Sequence, residues 1–298
     1  MKVAILQTKP RKGDVEANLA DLGAAFAQLA GAPEPFDLIV APEAALTGYF
    51  LEGAVYELAF ETELLAARIA SLWRDAAGAA PVDVALGFYE NAGGTYYNSA
   101  LYLHVAGDAH HVAHVHRKMF LPTYGVFDEE RFLSRGRRLQ TFETRFGPMA
   151  ILICEDAWHA IMPTIAAIKG ARVLLVPSAS PGRGLGAGGE LESVLHWRSV
   201  LRSYAVEHGV FVVYAGLAGF EGGKGMTGSS QVIDPFGDTL VAAPALGAQV
   251  LAANLELADI DVARSRLPLL GDLAAVLPDL LWDSELVPHA TPPGAVQR

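Results

Sequence analysis

The strongest constraint on this chain is how it distributes its apolar residues. They fall in short runs, separated by longer stretches in which they recur at helical spacing. The runs at 3–7, 38–41, 82–88, 99–105, 111–116, 150–153, 173–176, 210–214, 229–233 and 250–254 read as strands. Val15, Leu19, Leu22, Phe26 and Leu29 make a helical stripe. Leu58, Leu65, Ile69 and Leu72 make a second, and Leu191, Val194, Leu195, Val200, Leu201 and Tyr204 a third. Largely apolar strands must be covered on both faces, so the pattern implies an α/β fold with helices over sheets. Ala106-Gly107-Asp108 reads as the turn of a hairpin joining 99–105 to 111–116.

Apolar residues make up 52% of the 298, ample for a large core. No compositional break or fixed repeat divides them, so one domain over 1–298 is expected. The part from about 261 reads as a tail packing on the core or on a dimer partner. The net charge of −11 argues against nucleic acid or an anionic membrane as partner. No run approaches the ~20 apolar residues of a spanning helix. The first residues read as a strand rather than a signal peptide. A single cysteine allows no intrachain disulfide and points to a reducing, cytoplasmic setting.

That cysteine, Cys154, ends the apolar run 149–153 and is followed by Glu155-Asp156-Ala157-Trp158. A strand that stops at a polar turn presents its last side chain at a sheet edge, where open α/β folds place chemistry. Most free cysteines are small buried hydrophobes. Two other segments shift the balance. Glu43 follows the run 38–41 in a Pro-Glu step, and Lys118 stands where 111–116 gives way to a loop broken by Pro122 and Gly125. Amide hydrolysis needs a nucleophile, an oxyanion stabiliser and a proton carrier. Cys154 supplies the thiolate. Lys118 lowers its pKa and holds the oxyanion together with the Glu155 backbone N–H. Glu43 moves protons. No metal or cofactor is required. A salt bridge between Glu43 and Lys118 beside an inert cysteine is the plain alternative.

These segments resemble the nitrilase, or carbon–nitrogen hydrolase, superfamily: Ala-Pro-Glu43, His-Arg-Lys118 and Ile-Cys154-Glu-Asp stand in the order of its motifs. The resemblance runs from Lys2 to Asp272. It implies a four-layer α-β-β-α sandwich, a homodimer or higher homo-oligomer, and a second glutamate at Glu129 that steadies Lys118. The wording of 121–129, 153–158 and 177–181 is most similar to the glutaminase domain of glutamine-dependent NAD synthetase. The Ser-Gly-Gly loop of the synthetase part is absent from the sequence. The resemblance therefore implies a cofactor-free hydrolase of a small-molecule amide. An N-carbamoyl amine hydrolase, a glutaminase subunit feeding a separate synthetase, and a silent scaffold are the alternatives. Tyr49, Tyr124, Phe127 and Trp158 lie near the trio and could wall a pocket. Glu155, Ser178 and Ser180 are expected at the polar end of the substrate, and Asp156 as the cap of a helix from about 157.

Two patterns compete. Gly184-Leu185-Gly186-Ala187-Gly188-Gly189 spells a dinucleotide fingerprint, with Glu207 where a ribose-binding acid would stand. Pro177 and Pro181 interrupt the tight strand-to-helix turn that motif needs, and a glycine-rich rim near the active site is the preferred reading. His110, His114 and His116 would share one face of a regular strand and could bind a metal. Without matching acids or cysteines they read as surface residues.

Overall fold

The computed structural model describes residues 1–186 and 188–282. Its strands are β1 (Lys2–Gln7), β2 (Leu38–Val40), β3 (Val82–Ala92), β4 (Thr95–Ala106) and β5 (Ala109–Arg117). There follow β6 (Thr141–Phe142), β7 (Met149–Ile151), β8 (Val173–Ser178) and β9 (Phe211–Gly216). The last are β10 (Ala218–Glu221), β11 (Lys224–Thr227), β12 (Gln231–Ile233), β13 (Thr239–Ala242) and β14 (Gln249–Asn254). They form two six-stranded sheets, ordered β14-β1-β2-β3-β4-β5 and β13-β12-β9-β8-β7-β6, with β10-β11 a separate hairpin. Three parallel strands lie inside each sheet, β1-β2-β3 and β7-β8-β9, with antiparallel strands outside them.

Alternation along the strands builds the layers. Val3, Ile5, Leu38 and Val40 face the second sheet, whereas Ala4, Leu6 and Ile39 face helices α1 (Val15–Ala30) and, beyond the short α2 (Val55–Leu58), α3 (Thr62–Ala77). Helices α4 (Ile161–Ile168) and α5 (Glu192–His208) cover the second sheet through Met162, Ala166, Trp197 and Leu201. The result is the expected α-β-β-α sandwich. At the C-terminal end, α6 (Asp259–Arg266) buries Ile260 and Ala263, and α7 (Leu269–Trp282) runs beside α4 and α5. The part of the proposed tail past 282 lies outside the described residues. No described helix is long and apolar enough to cross a membrane.

The hairpin turns at Gly107, φ +56°, with Ala106 paired to Ala109. One strand departs from regularity. In β5 the partners of Leu103 and Tyr102 are Val112 and His114, so Ala113 is an extra residue, a bulge. The bulge resets the alternation. His110 faces the helix side, opposite Val105, while His114 stacks on Phe142 and His116 reaches Asp156 between the sheets. The three histidines therefore do not share a face.

Candidate active site

Glu43, Lys118 and Cys154 all lie just beyond strand ends, and the two sheets bring those ends together. Glu43 follows β2 and packs on β3 at Gly87, where a Cβ would lie 2.5 Å from Glu43 Cα. Gly87 also exchanges backbone hydrogen bonds with Pro42 and Ala45, which fixes the glutamate's segment. Lys118 follows β5, its backbone held by Asn98 O and Gly136 N. Cys154 opens a one-turn 3-10 helix, Cys154–Trp158, at φ +44°. Ala44, beside Glu43, is also left-handed at φ +52°. Such backbone costs about 1–3 kcal/mol per residue and collects at functional sites.

The Lys118 ammonium lies 2.8 Å from Glu43 Oε1 and 2.8 Å from Glu129 Oε1, and its side chain has no solvent exposure. Asn98 Nδ2 donates to both oxygens, at 2.7 and 3.2 Å. Tyr49 OH also donates to Glu129 Oε1, and Ala179 N donates to Glu43 Oε2. Burial opposes the charge on Lys118, but Glu129 and Glu43 outweigh it and keep the ammonium protonated. Burial raises the Glu129 pKa, Lys118 pulls it back and Glu43 raises it again, leaving it at about 7. For Cys154 the expectation of a lowered pKa fails. Burial and the Glu43 charge push the thiol up, and Lys118 together with the Ala179 amide only partly offset them. The resting group is a neutral thiol beside an occupied carboxylate–ammonium cluster.

Asp156 does not cap a helix from 157. Its Oδ1 accepts from Met119 N and Phe120 N, and its Oδ2 from Ile153 N and His116 Nε2. This fully buried carboxylate ties the Cys154 turn to the segment that carries Lys118. Glu221, on the β10–β11 hairpin, accepts from Tyr49 N and Phe50 N, and Tyr89 OH donates to Tyr49 O. Tyr49 is thus held from three sides. Asn98, Glu221 and Tyr89 carry no motif signal, and Asp156 stands in the Cys154 motif with only a capping role expected of it. The one hint is a polar Asn98 at the start of an apolar strand.

Around this cluster Asn98 Oδ1 and Glu129 Oε2 are buried and have no partner among the described residues, while the buried Ser178 and Tyr214 hydroxyls lie close to each other. Buried polar atoms in native proteins are nearly always satisfied, so the two orphaned oxygens beside Lys118 mark where a polar ligand belongs. Tyr214, on β9, is pushed up by burial and by its nearness to Cys154. Ser180 instead accepts from Trp197 Nε1 and is taken up by the scaffold. Phe127 packs on Tyr49 and Tyr124. Trp158 is half-buried against His196 and Trp197.

Arg183 lies at the rim. Its guanidinium sits 5.5–5.7 Å from the ring centres of Tyr124, Phe127 and Trp158 and has no carboxylate within 4 Å among the described residues. Across Tyr124, whose hydroxyl lies 3.0 Å from both its oxygens, stands Glu155. The glycine-rich segment that follows does not open a helix. A bridge joins Leu185 to Leu191, and α5 starts only at Glu192. Glu207 is exposed at the far end of α5. Ala187, inside the fingerprint, lies outside the described residues.

Comparison with known proteins agrees with the layers. The carbon-nitrogen hydrolase family matches residues 2–265. A glutamine-dependent NAD(+) synthetase of Rhodobacter capsulatus is 30% identical over 257 residues, which is 86% of this chain but 43% of that protein. The chain thus spans less than half of that relative's length. A citrullinase of Francisella tularensis is 26% identical over 275 residues, 89% of this chain and 92% of that protein. The crystal structure of a carbon-nitrogen hydrolase from Helicobacter pylori superposes with a TM-score of 0.83 at 23% identity, covering 95% of this chain and 99% of that one. The chain belongs to the carbon–nitrogen hydrolase family, with the nitrilase-superfamily fold, and is a hydrolase.

Proposed function

We propose that this protein hydrolyses the terminal carboxamide of a small α-amino acid through a thioester on Cys154, releasing ammonia. The observation that carries the substrate class is the pair at the rim. Arg183, a cation without a carboxylate, and Glu155, a half-buried anion, flank Tyr124. They suit an α-carboxylate and an α-ammonium respectively. The relatives' names agree with such a head group, since glutamine and citrulline are both α-amino acids with a terminal C–N carbonyl group. The citrullinase match favours a ureido group as the second reading.

Glu43 takes the thiol proton as sulfur attacks the carbonyl carbon. The oxyanion forms between the Lys118 ammonium and the Glu155 N–H, which has no acceptor among the described residues. The C–N bond breaks as Glu43 returns the proton to the leaving nitrogen. Glu43 then takes a proton from water as the water oxygen attacks the thioester carbon, and passes that proton to the departing sulfur, which restores the thiol. Glu129 holds Lys118 throughout, and its free Oε2 accepts from the substrate nitrogen.

The test is ammonia release from glutamine, asparagine, citrulline, acetamide and propionamide, with wild type and Cys154→Ala in parallel. The expected result is a higher kcat/KM for an α-amino acid than for either neutral amide, and no release by the variant. Equal or better turnover of the neutral amides would remove the substrate class. Undiminished release by Cys154→Ala would remove the mechanism.

A further inference from the structure

Away from the catalytic cluster, a groove of about 300 Å³ runs beside the end of β5, lined by Arg117, Arg135, Arg137, Arg138 and Tyr97 and by no carboxylate. Elsewhere on this acidic protein several exposed arginines are paired, Arg11 with Asp21, Arg68 with Glu16 and Arg198 with Glu190, and the exposed ones among the described residues that are not, Arg202 and Arg266, instead donate to Gly237 O and lie over Phe236 respectively. In the groove only Arg117 has a partner, Glu90, at 2.7 and 2.8 Å, and its guanidinium lies over Tyr97. Arg135, Arg137 and Arg138 are exposed and have no carboxylate within 4 Å among the described residues.

The fold forces this crowding. Gly136 presses on the end of β5 so closely that a Cβ would lie 2.0 Å from Arg117 O, and its N–H donates to Lys118 O at 2.7 Å. The Arg-Gly-Arg-Arg segment is therefore pinned to the strand that carries Arg117. Uncompensated like charges repel, and a bound anion removes that cost. Guanidinium forks fit phosphate oxygens two at a time. A single carboxylate would leave most of the three free charges unmatched, whereas two linked phosphates would not.

We infer that this groove is a second binding site, for a small molecule carrying a diphosphate or comparable polyphosphate group. The site is separate from the one that performs hydrolysis, and the inference does not depend on the substrate assigned there.

Titration calorimetry of the full chain with inorganic pyrophosphate tests it, with orthophosphate and an oligo-glutamate peptide as comparisons. Pyrophosphate should bind more tightly than orthophosphate, and more weakly as salt rises. The triple variant R135Q/R137Q/R138Q should lose at least about tenfold in affinity while keeping its melting temperature and its hydrolytic activity. Equal binding by wild type and variant would overturn the inference, as would no pyrophosphate binding at millimolar concentration. Binding of the peptide but not of pyrophosphate would also overturn it and assign the groove to an acidic protein.

Discussion

Glu43 and Glu129 meet at one cation: an oxygen of each lies 2.8 Å from the Lys118 ammonium, so two buried carboxylates share a single counter-charge. One negative charge is left over, and the structure places its cost on Glu129, whose pKa rises from 4.5 to about 7.

That shift fixes a pH dependence of stability. Between about pH 4.5 and 7 the folded state keeps a proton on Glu129 that the unfolded chain releases. This contribution is fully present below the unfolded value and is lost as pH rises through about 7. Glu129→Gln cannot titrate. Its stability relative to wild type should therefore climb by up to about 3 kcal/mol from mildly acidic to mildly alkaline pH. Urea unfolding at a series of pH values reads the difference directly, and a pH-independent difference would contradict it.

The thiol should respond to its neighbours with opposite signs. Glu43 raises the Cys154 pKa and Lys118 lowers it. Ultraviolet titration of the thiolate is free of interference from other thiols, because Cys154 is the only cysteine. Glu43→Gln should titrate at lower pH than wild type and Lys118→Met at higher pH. Shifts in the same direction would mean that the two groups do not flank the sulfur.

Asp156→Ala should be the most damaging change outside the reacting groups. It strands three backbone N–H groups and the His116 ring in the interior. Removing a buried carboxylate of this kind costs about 3–5 kcal/mol. Asp156→Asn keeps the shape and should recover part of the stability, with kcat still reduced. Thermal melts and steady-state kinetics of both variants check this, and an unchanged kcat in Asp156→Ala would show that the tie does not position Cys154.

Much of this architecture is legible in the sequence, for a physical reason. Strands covered on both faces must be apolar throughout, so 38–41, 150–153 and 173–176 announce themselves, and charged residues at their ends stand out. What stays hidden depends on contacts between distant segments. Asp156 looks like a helix cap because its partners Met119 and Phe120 lie in another strand's loop. Asn98 reads as an ordinary polar residue at a strand start, although it bridges both glutamates. The β10–β11 hairpin lacks clear alternation, so nothing local shows that Glu221 reaches Tyr49. The bulge at Ala113 shifts the histidine faces without any glycine or proline to signal it.

Arg183→Gln should separate binding from chemistry. The guanidinium stands at the rim, over Tyr124, Phe127 and Trp158, and not in the Lys118 cluster. Loss of a charge-assisted contact to an α-carboxylate should raise KM for the α-amino acid about tenfold or more, with kcat nearly unchanged. A neutral amide should show no change. Equal losses on charged and neutral substrates would assign Arg183 to the fold alone.

The central claim is a covalent intermediate on Cys154, and acid-quenched intact-mass spectrometry during turnover tests it most directly. Wild type should show a transient adduct equal to substrate minus ammonia, located on the peptide containing Cys154. Glu43→Gln, with no base to activate water, should hold whatever adduct it forms for longer, and Cys154→Ser should show no thioester. Ammonia release by wild type with no adduct at any time, together with activity that survives Cys154→Ala, would contradict the account.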